Sequence, residues 1–168
     1  YLPELSQAGA RFQAEYLWRY LQAPESVRPA IRPARMPHFP LSKFEWRAMV
    51  GYLEQQQTSK ASPKLLRLLG ARAQPTEAMV DKGRALFFGE YGCSGCHQWD
   101  GRGKRVGPDL TKANEKFRPE WLRRYLADPK VFAPKAIMPA LFYTKNSAGD
   151  YASARPERQV LSDLDAIV

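Results

Sequence analysis

Apolar side chains recur at helical spacing in several separate stretches of this chain. From Thr76-Glu77-Ala78-Met79 a helix-like pattern runs through Val80, Gly83, Leu86 and Phe87 to a break at Gly89–Gly92. Thr76 stands where an N-cap belongs, and Met79, on this helix, is read as packing. Pro119 to Ala127 is amphipathic, and a proline-bounded loop then leads to Ile137-Met138-Pro139. Phe44 to Leu53 makes a further full helix, and Lys64 to Ala73, with Leu65, Leu66, Leu68 and Leu69, reads as a short packing segment. No strand-rich alternation surrounds these elements, so the expected class is all-α. Gln55 to Lys60, followed by Ala61-Ser62-Pro63, is polar and suits a linker. No run of eighteen apolar residues exists, so no stretch is expected to span a membrane.

The pattern repeats. Phe12 to Pro24 (FQAEYLWRYLQAP) and Phe117 to Pro129 (FRPEWLRRYLADP) agree at seven of thirteen positions. At the same offset of 105, Leu2-Pro3-Glu4-Leu5 matches Gly107-Pro108-Asp109-Leu110. Further on, Arg35-Met36-Pro37 corresponds to Ile137-Met138-Pro139, and Leu41-Ser42 to Leu161-Ser162. Agreement in loop, helix, Met-Pro and closing helix argues for two tandem copies. About thirty residues precede the Gly-Pro loop of the second copy with no counterpart in the first, and the second copy's closing helix is cut short. The expectation is a partial sequence, or halves completed by something outside it. The domains expected are 1–57 as an incomplete first copy, 58–74 as linker and 75–168 as the second copy.

Both cysteines and one of the two histidines fall in five residues, Cys93-Ser94-Gly95-Cys96-His97. C-x-x-C-H is the attachment signal for c-type haem. Each thiol can add to one vinyl group, and the adjoining imidazole can then reach the iron. A zinc site would want four N/S donors, usually in two pairs, yet only His38 remains as a further nitrogen donor. A thioredoxin-like site would sit near a βαβ pattern. A Cys93–Cys96 disulfide would close too short a loop to constrain much.

The order of these parts resembles the class I cytochrome c family: first helix, C-x-x-C-H, Gly-Pro-x-Leu loop, middle helix, Met-Pro loop, last helix. The resemblance covers roughly Thr76 to Val168 and implies a helical domain around one covalent haem c. It implies Cys93 and Cys96 as thioether anchors, His97 as proximal ligand and Gly107-Pro108 as part of the haem-binding loop. Met138, 41 residues after His97, becomes the distal ligand, since His/Met is a recognised c-type pair. Against this stands the general habit of methionine as a core gap-filler. In the first copy Met36 is the equivalent candidate, either the distal ligand of a second haem or a packing residue. His38, two positions on, is a rival ligand or an ordinary loop residue. Trp18, Trp46, Trp99 and Trp121 are expected in core or haem-pocket lining.

Lys and Arg outnumber Asp and Glu by 26 to 17, a net charge of +9. Such charge steers association with acidic surfaces, and the Arg102-Gly103-Lys104-Arg105 cluster either faces an acidic redox partner or is simply solvated. No basic motif of a nucleic-acid-binding type is present. The resemblance implies a periplasmic or otherwise extracytoplasmic site. Two functions are weighed, and a saturated iron favours the first, an electron carrier rather than an enzyme. One is an electron carrier of a respiratory or photosynthetic chain, working within or beside a membrane complex. The other is a catalytic or sensing haem protein, peroxidase-like or gas-binding, with a labile sixth ligand. The segment Phe142 to Glu157 reads as a surface insertion in the Met-Pro loop.

Overall fold

A computed structural model describes residues 4–25 and 36–168. Leu2-Pro3 and Arg35 of the repeat lie outside the described residues. In chain order the helices are α1 (Ala8–Arg11), α2 (Ala14–Gln22), α3 (Lys43–Glu54), α4 (Pro63–Leu69) and α5 (Glu77–Ala85), followed by α6 (Ala113–Lys116), α7 (Pro119–Ala127), α8 (Pro129–Phe132) and α9 (Glu157–Ile167). A π-helical turn, Leu86–Glu90, continues α5, and a 3-10 turn, Cys93–Gly95, opens the C-x-x-C-H stretch. The described residues are predominantly helical. Four two-residue strands pair as two antiparallel hairpins, β1 (Gln98–Trp99) with β2 (Arg102–Gly103) and β3 (Thr144–Lys145) with β4 (Tyr151–Ala152).

The chain divides into two compact units, Tyr1–Ser59 with Ser94–Arg118, and Lys60–Cys93 with Pro119–Val168. This division by contact cuts across the sequence repeat. In the first unit, α2 buries Leu17 and Leu21, four positions apart, against Trp46, Val50 and Leu53 of α3. Both sets follow the single face that a 3.6-residue period dictates. Helix α3 starts at a capping box: Ser42 Oγ accepts from Glu45 N at 3.3 Å while the Glu45 carboxylate accepts from Ser42 N at 2.8 Å. The Ser42 hydroxyl also donates to the Glu45 carboxylate at 2.7 Å, and this bond, then the one from Ser42 N, holds the Glu45 carboxyl below its ordinary range.

The second unit is built on α5, α9, α7 and α4. The Thr76 hydroxyl accepts from Met79 N at 3.3 Å, so the expected cap is the observed one. Helix α5 packs closely on α9 because Gly83 brings no side chain; a Cβ there would run into the Ala166 carbonyl. Leu65 and Leu69 of α4 are fully buried with Ala127, Val160 and Leu164, so the stretch between the copies contributes core. Phe142 and Tyr143 belong to the same cluster, 4% and 3% exposed. That corrects the reading of Phe142 to Glu157 as a surface insertion: its root is core, and the exposed part begins with the β3–β4 hairpin.

Buried charge then ties the helices together. Arg123 of α7 pairs with Asp165 of α9 at 2.5 Å, both side chains under a tenth exposed. The guanidinium also donates to the Leu69 and Gly70 carbonyls at 2.9 and 3.2 Å, and Asp165 accepts from Ala73 N at 3.2 Å. Asp163, 1% exposed, accepts from Lys82 of α5 at 2.7 Å and from the Tyr91 hydroxyl at 2.9 Å. Burial, reinforced by that bond, pushes the Tyr91 hydroxyl up to about 12.

Removing one partner of a buried pair leaves the other charge uncompensated, at a cost of about 3–5 kcal/mol. Arg123→Ala is therefore expected to lower the unfolding free energy by about that much in denaturant titration. The exposed control Arg158→Ala should stay within roughly 0.5 kcal/mol of the parent.

Candidate haem site

His97 is half-buried, and two residues hold its ring. Its Nδ1 lies 2.8 Å from the Pro108 carbonyl. A carbonyl only accepts, so Nδ1 must carry the proton and donate. The neutral ring then leaves Nε2 with a free lone pair, which is the state a metal ligand needs. Gly107 also approaches the ring: a Cβ there would stand 2.5 Å from His97 Cε1 and 2.7 Å from Nδ1. Only glycine lets the backbone approach the imidazole this closely.

Three further bonds lock this loop to the motif. Gly107 N donates to Cys96 O at 2.7 Å, Leu110 N to Gln98 O at 2.8 Å, and Asp100 N to Thr111 Oγ1 at 2.8 Å. Asp109 accepts from Thr111 N at 2.8 Å and from its hydroxyl at 2.5 Å, which holds its carboxyl below the ordinary range. The β1–β2 hairpin that separates motif from loop turns at Asp100-Gly101, with φ of 49° and 73°. Two consecutive positive φ values are what a tight primed turn requires. Asp-Gly is a hairpin signal that the sequence reading passed over. The exposed Arg102 and Lys104 lie on and just after the strand that follows.

Cys93 and Cys96 are not joined in a disulfide, the first half-buried and the second exposed. Cys96, His97, Gly107 and Pro108 are together in the first unit; Cys93, joined to them by the 3-10 turn, is the last residue of its segment in the second. Met138 belongs to the second unit, half-buried in the loop after α8. Met36 packs against the α2–α3 core of the first unit, and His38 is exposed. Trp46 and Trp121 are buried core, while Trp18 and Trp99 are half-buried. Among the described residues, no group of three or more His, Cys, Asp or Glu side chains forms a metal cluster. What the site offers is two cysteines at the right spacing and an imidazole with one nitrogen satisfied. That donor set fits covalent haem.

Residues 82–167, just over half of the 168, match the family described as cytochrome c oxidase, mono-heme subunit/FixO. The chain belongs to the FixO family. Its cofactor is one haem c. No curated protein and no solved structure matches the chain. The family match begins inside α5 and ends with α9, so it takes in the C-x-x-C-H motif, the Gly-Pro loop and the Met-Pro loop together. Among the described residues no helix is long and apolar enough to cross a membrane.

Gly107→Ala is expected to push the His97 ring off its bond to Pro108. The overpacking should cost about 1–3 kcal/mol, and haem incorporation on expression should fall. Haem-specific staining per unit of protein checks it, with the neighbouring exposed Val106→Ala as the control that keeps its haem.

Proposed function

We propose that this chain carries electrons as the haem c subunit of an oxidase complex. Cys93 and Cys96 would hold the group by thioether bonds, His97 Nε2 would be one axial ligand and the Met138 thioether sulfur the other. When bound, the haem supplies a one-electron couple whose potential a methionine ligand raises. The chain's own residues do the rest. Pro108 keeps the proton on His97 Nδ1 and so fixes the ring's orientation, and Gly107 gives the ring room. The single observation that carries this reading is the 2.8 Å His97–Pro108 contact, with His97 directly after the Cys93-x-x-Cys96 pair. Family membership supports it.

The exposed Arg102 and Lys104, on and just after β2 and a few residues beyond His97, support an acidic redox partner as the docking surface. An extracytoplasmic location, periplasmic in a bacterium, goes with this reading because c-type haem is attached on that side of the membrane. The rival reading, a peroxidase-like or gas-binding protein, needs an open sixth position, which Met138 would fill.

A second reading extends the proposal to a tandem pair of cytochrome c-like copies. It is favoured by helices of equal length at an offset of 105, α1 with α6 and α2 with α7. Met36-Pro37, in register with Met138-Pro139, would then serve a second haem. Its contacts with the core of the first unit favour a packing role. Haem-to-polypeptide stoichiometry on full-length protein separates the two: two haems per chain support ligation by Met36, one haem assigns it to the core.

Haem should stay with the polypeptide through acid–acetone extraction, and Cys93→Ala with Cys96→Ala should abolish that retention. In the oxidised protein Met138→Ala should remove the weak methionine–iron absorption band at the red end of the spectrum and open the iron to carbon monoxide once reduced. An unchanged spectrum reassigns the ligand.

A further inference from the structure

Two stretches 105 positions apart meet within the first unit, where Phe12 and Phe117 form an isolated antiparallel bridge. The bonds around it come in exchanged pairs. Gln13 N donates to Lys116 O at 3.0 Å, and Arg118 N donates to Arg11 O at 2.9 Å. Shifting every residue by 105 turns the first bond into the second. The side chains repeat the exchange: Gln13 Nε2 donates to Phe117 O at 3.2 Å, and Arg118 Nε to Phe12 O at 3.0 Å. The two phenylalanine rings stack with centroids 5.7 Å apart. The helical turns leading into the bridge obey the same offset. Ala8 N bonds Leu5 O at 2.9 Å as Ala113 N bonds Leu110 O at 3.0 Å, and Phe12 N bonds Ala8 O at 2.9 Å as Phe117 N bonds Ala113 O at 2.8 Å.

Reciprocal contacts of this kind are the mark of an isologous, two-fold interface; here both halves belong to one chain. We propose that this crossing is an internal docking interface through which the N-terminal stretch positions the His97 loop, with Gln13 and Arg118 as its two positioning side chains. The inference rests on the reading of His97 as an axial ligand.

The route from the crossing to the imidazole is short. The segment from Gly107 to Arg118 is pinned at its near end by Gly107 to Cys96 and by Leu110 to Gln98, with Pro108 holding His97 between them. Helix α6 follows at once, and its last residue, Lys116, accepts from Gln13. The far end is held through the crossing, through Arg19 Nη2, 3.1 Å from Glu115 of α6, and through Arg118 Nη2, 3.6 Å from Glu54 at the end of α3. Loosening the crossing therefore loosens the segment whose Pro108 carbonyl orients the imidazole. Gln and Arg serve equally at the two positions because each offers a side-chain N–H to the opposite carbonyl.

The test uses the full-length holoprotein. Amide exchange at Gln13 and Arg118 reads the crossing, and the haem reduction potential reads the His97 loop. In Arg118→Ala, exchange should quicken roughly tenfold at Gln13 as well as at residue 118, since one hydrogen bond is worth about a tenfold change, and the potential should shift. Arg118→Gln places at 118 the residue used at position 13 and should restore both readings. If Arg118→Ala folds poorly, Gln13→Ala carries the same expectation with the positions reversed. Exchange at Gln13 unchanged, or an unchanged potential, or Arg118→Gln behaving as Arg118→Ala, overturns the proposal. Acid–acetone retention in the parent protein is scored separately, so failure of the haem assignment is distinguishable from failure of the crossing.

Discussion

The rest of the site depends on one proton. With Pro108 O as an acceptor 2.8 Å away, the hydrogen of neutral His97 must sit on Nδ1, and everything nearby serves to keep that carbonyl in place. Gly107 is bare so that the chain can turn under the ring. The Asp109–Thr111 turn and the Asp-Gly hairpin give the loop its shape without borrowing from a core. A histidine in a flexible loop would exchange tautomers and lose ring orientation. Here the backbone decides the tautomer, and the two thiols just before it need only supply attachment.

Legibility in the sequence followed the physics of each element. Helices α5 and α7 were readable because their apolar positions keep a helical period and their starts carry Thr76 and Pro119. The C-x-x-C-H motif was readable because its chemistry is local. Contacts made by distant residues left no such trace. Arg123 and Arg124 are adjacent arginines on one amphipathic helix, and nothing in the pattern says that the first is buried against Asp165. Phe142 and Tyr143 were hidden by the polar hairpin they precede, although both are apolar anchors for α4 and α9. The repeat showed which segments correspond, but not how contacts group them: the first unit joins Tyr1–Ser59 with Ser94–Arg118. Tertiary contact, unlike helical period, has no signature in a single sequence.

The second unit carries its charge inside as well as outside. Asp163 and Asp165 lie on the same helix, two positions apart, yet they face different cations, Lys82 and Arg155 for the first and Arg123 for the second. Two positions on a helix are about 200° apart, so α9 sends one carboxylate to α5 and the other to α7. Such pairs add little net stability over apolar residues of the same size. Their effect is selectivity, because a slipped register would strand a buried carboxylate without its partner.

The contact between α5 and α9 has a consequence for the order of events. Lys82 bonds Ser162 across 80 positions, so this core closes only once a long stretch of chain has been brought back on itself, which costs entropy before any contact repays it. Non-local pairing of this kind forms late. Cys93 and Cys96 lie inside that unclosed stretch. Because α5 precedes them and α9 follows, docking these two helices ties the segment that carries both thiols into a closed loop.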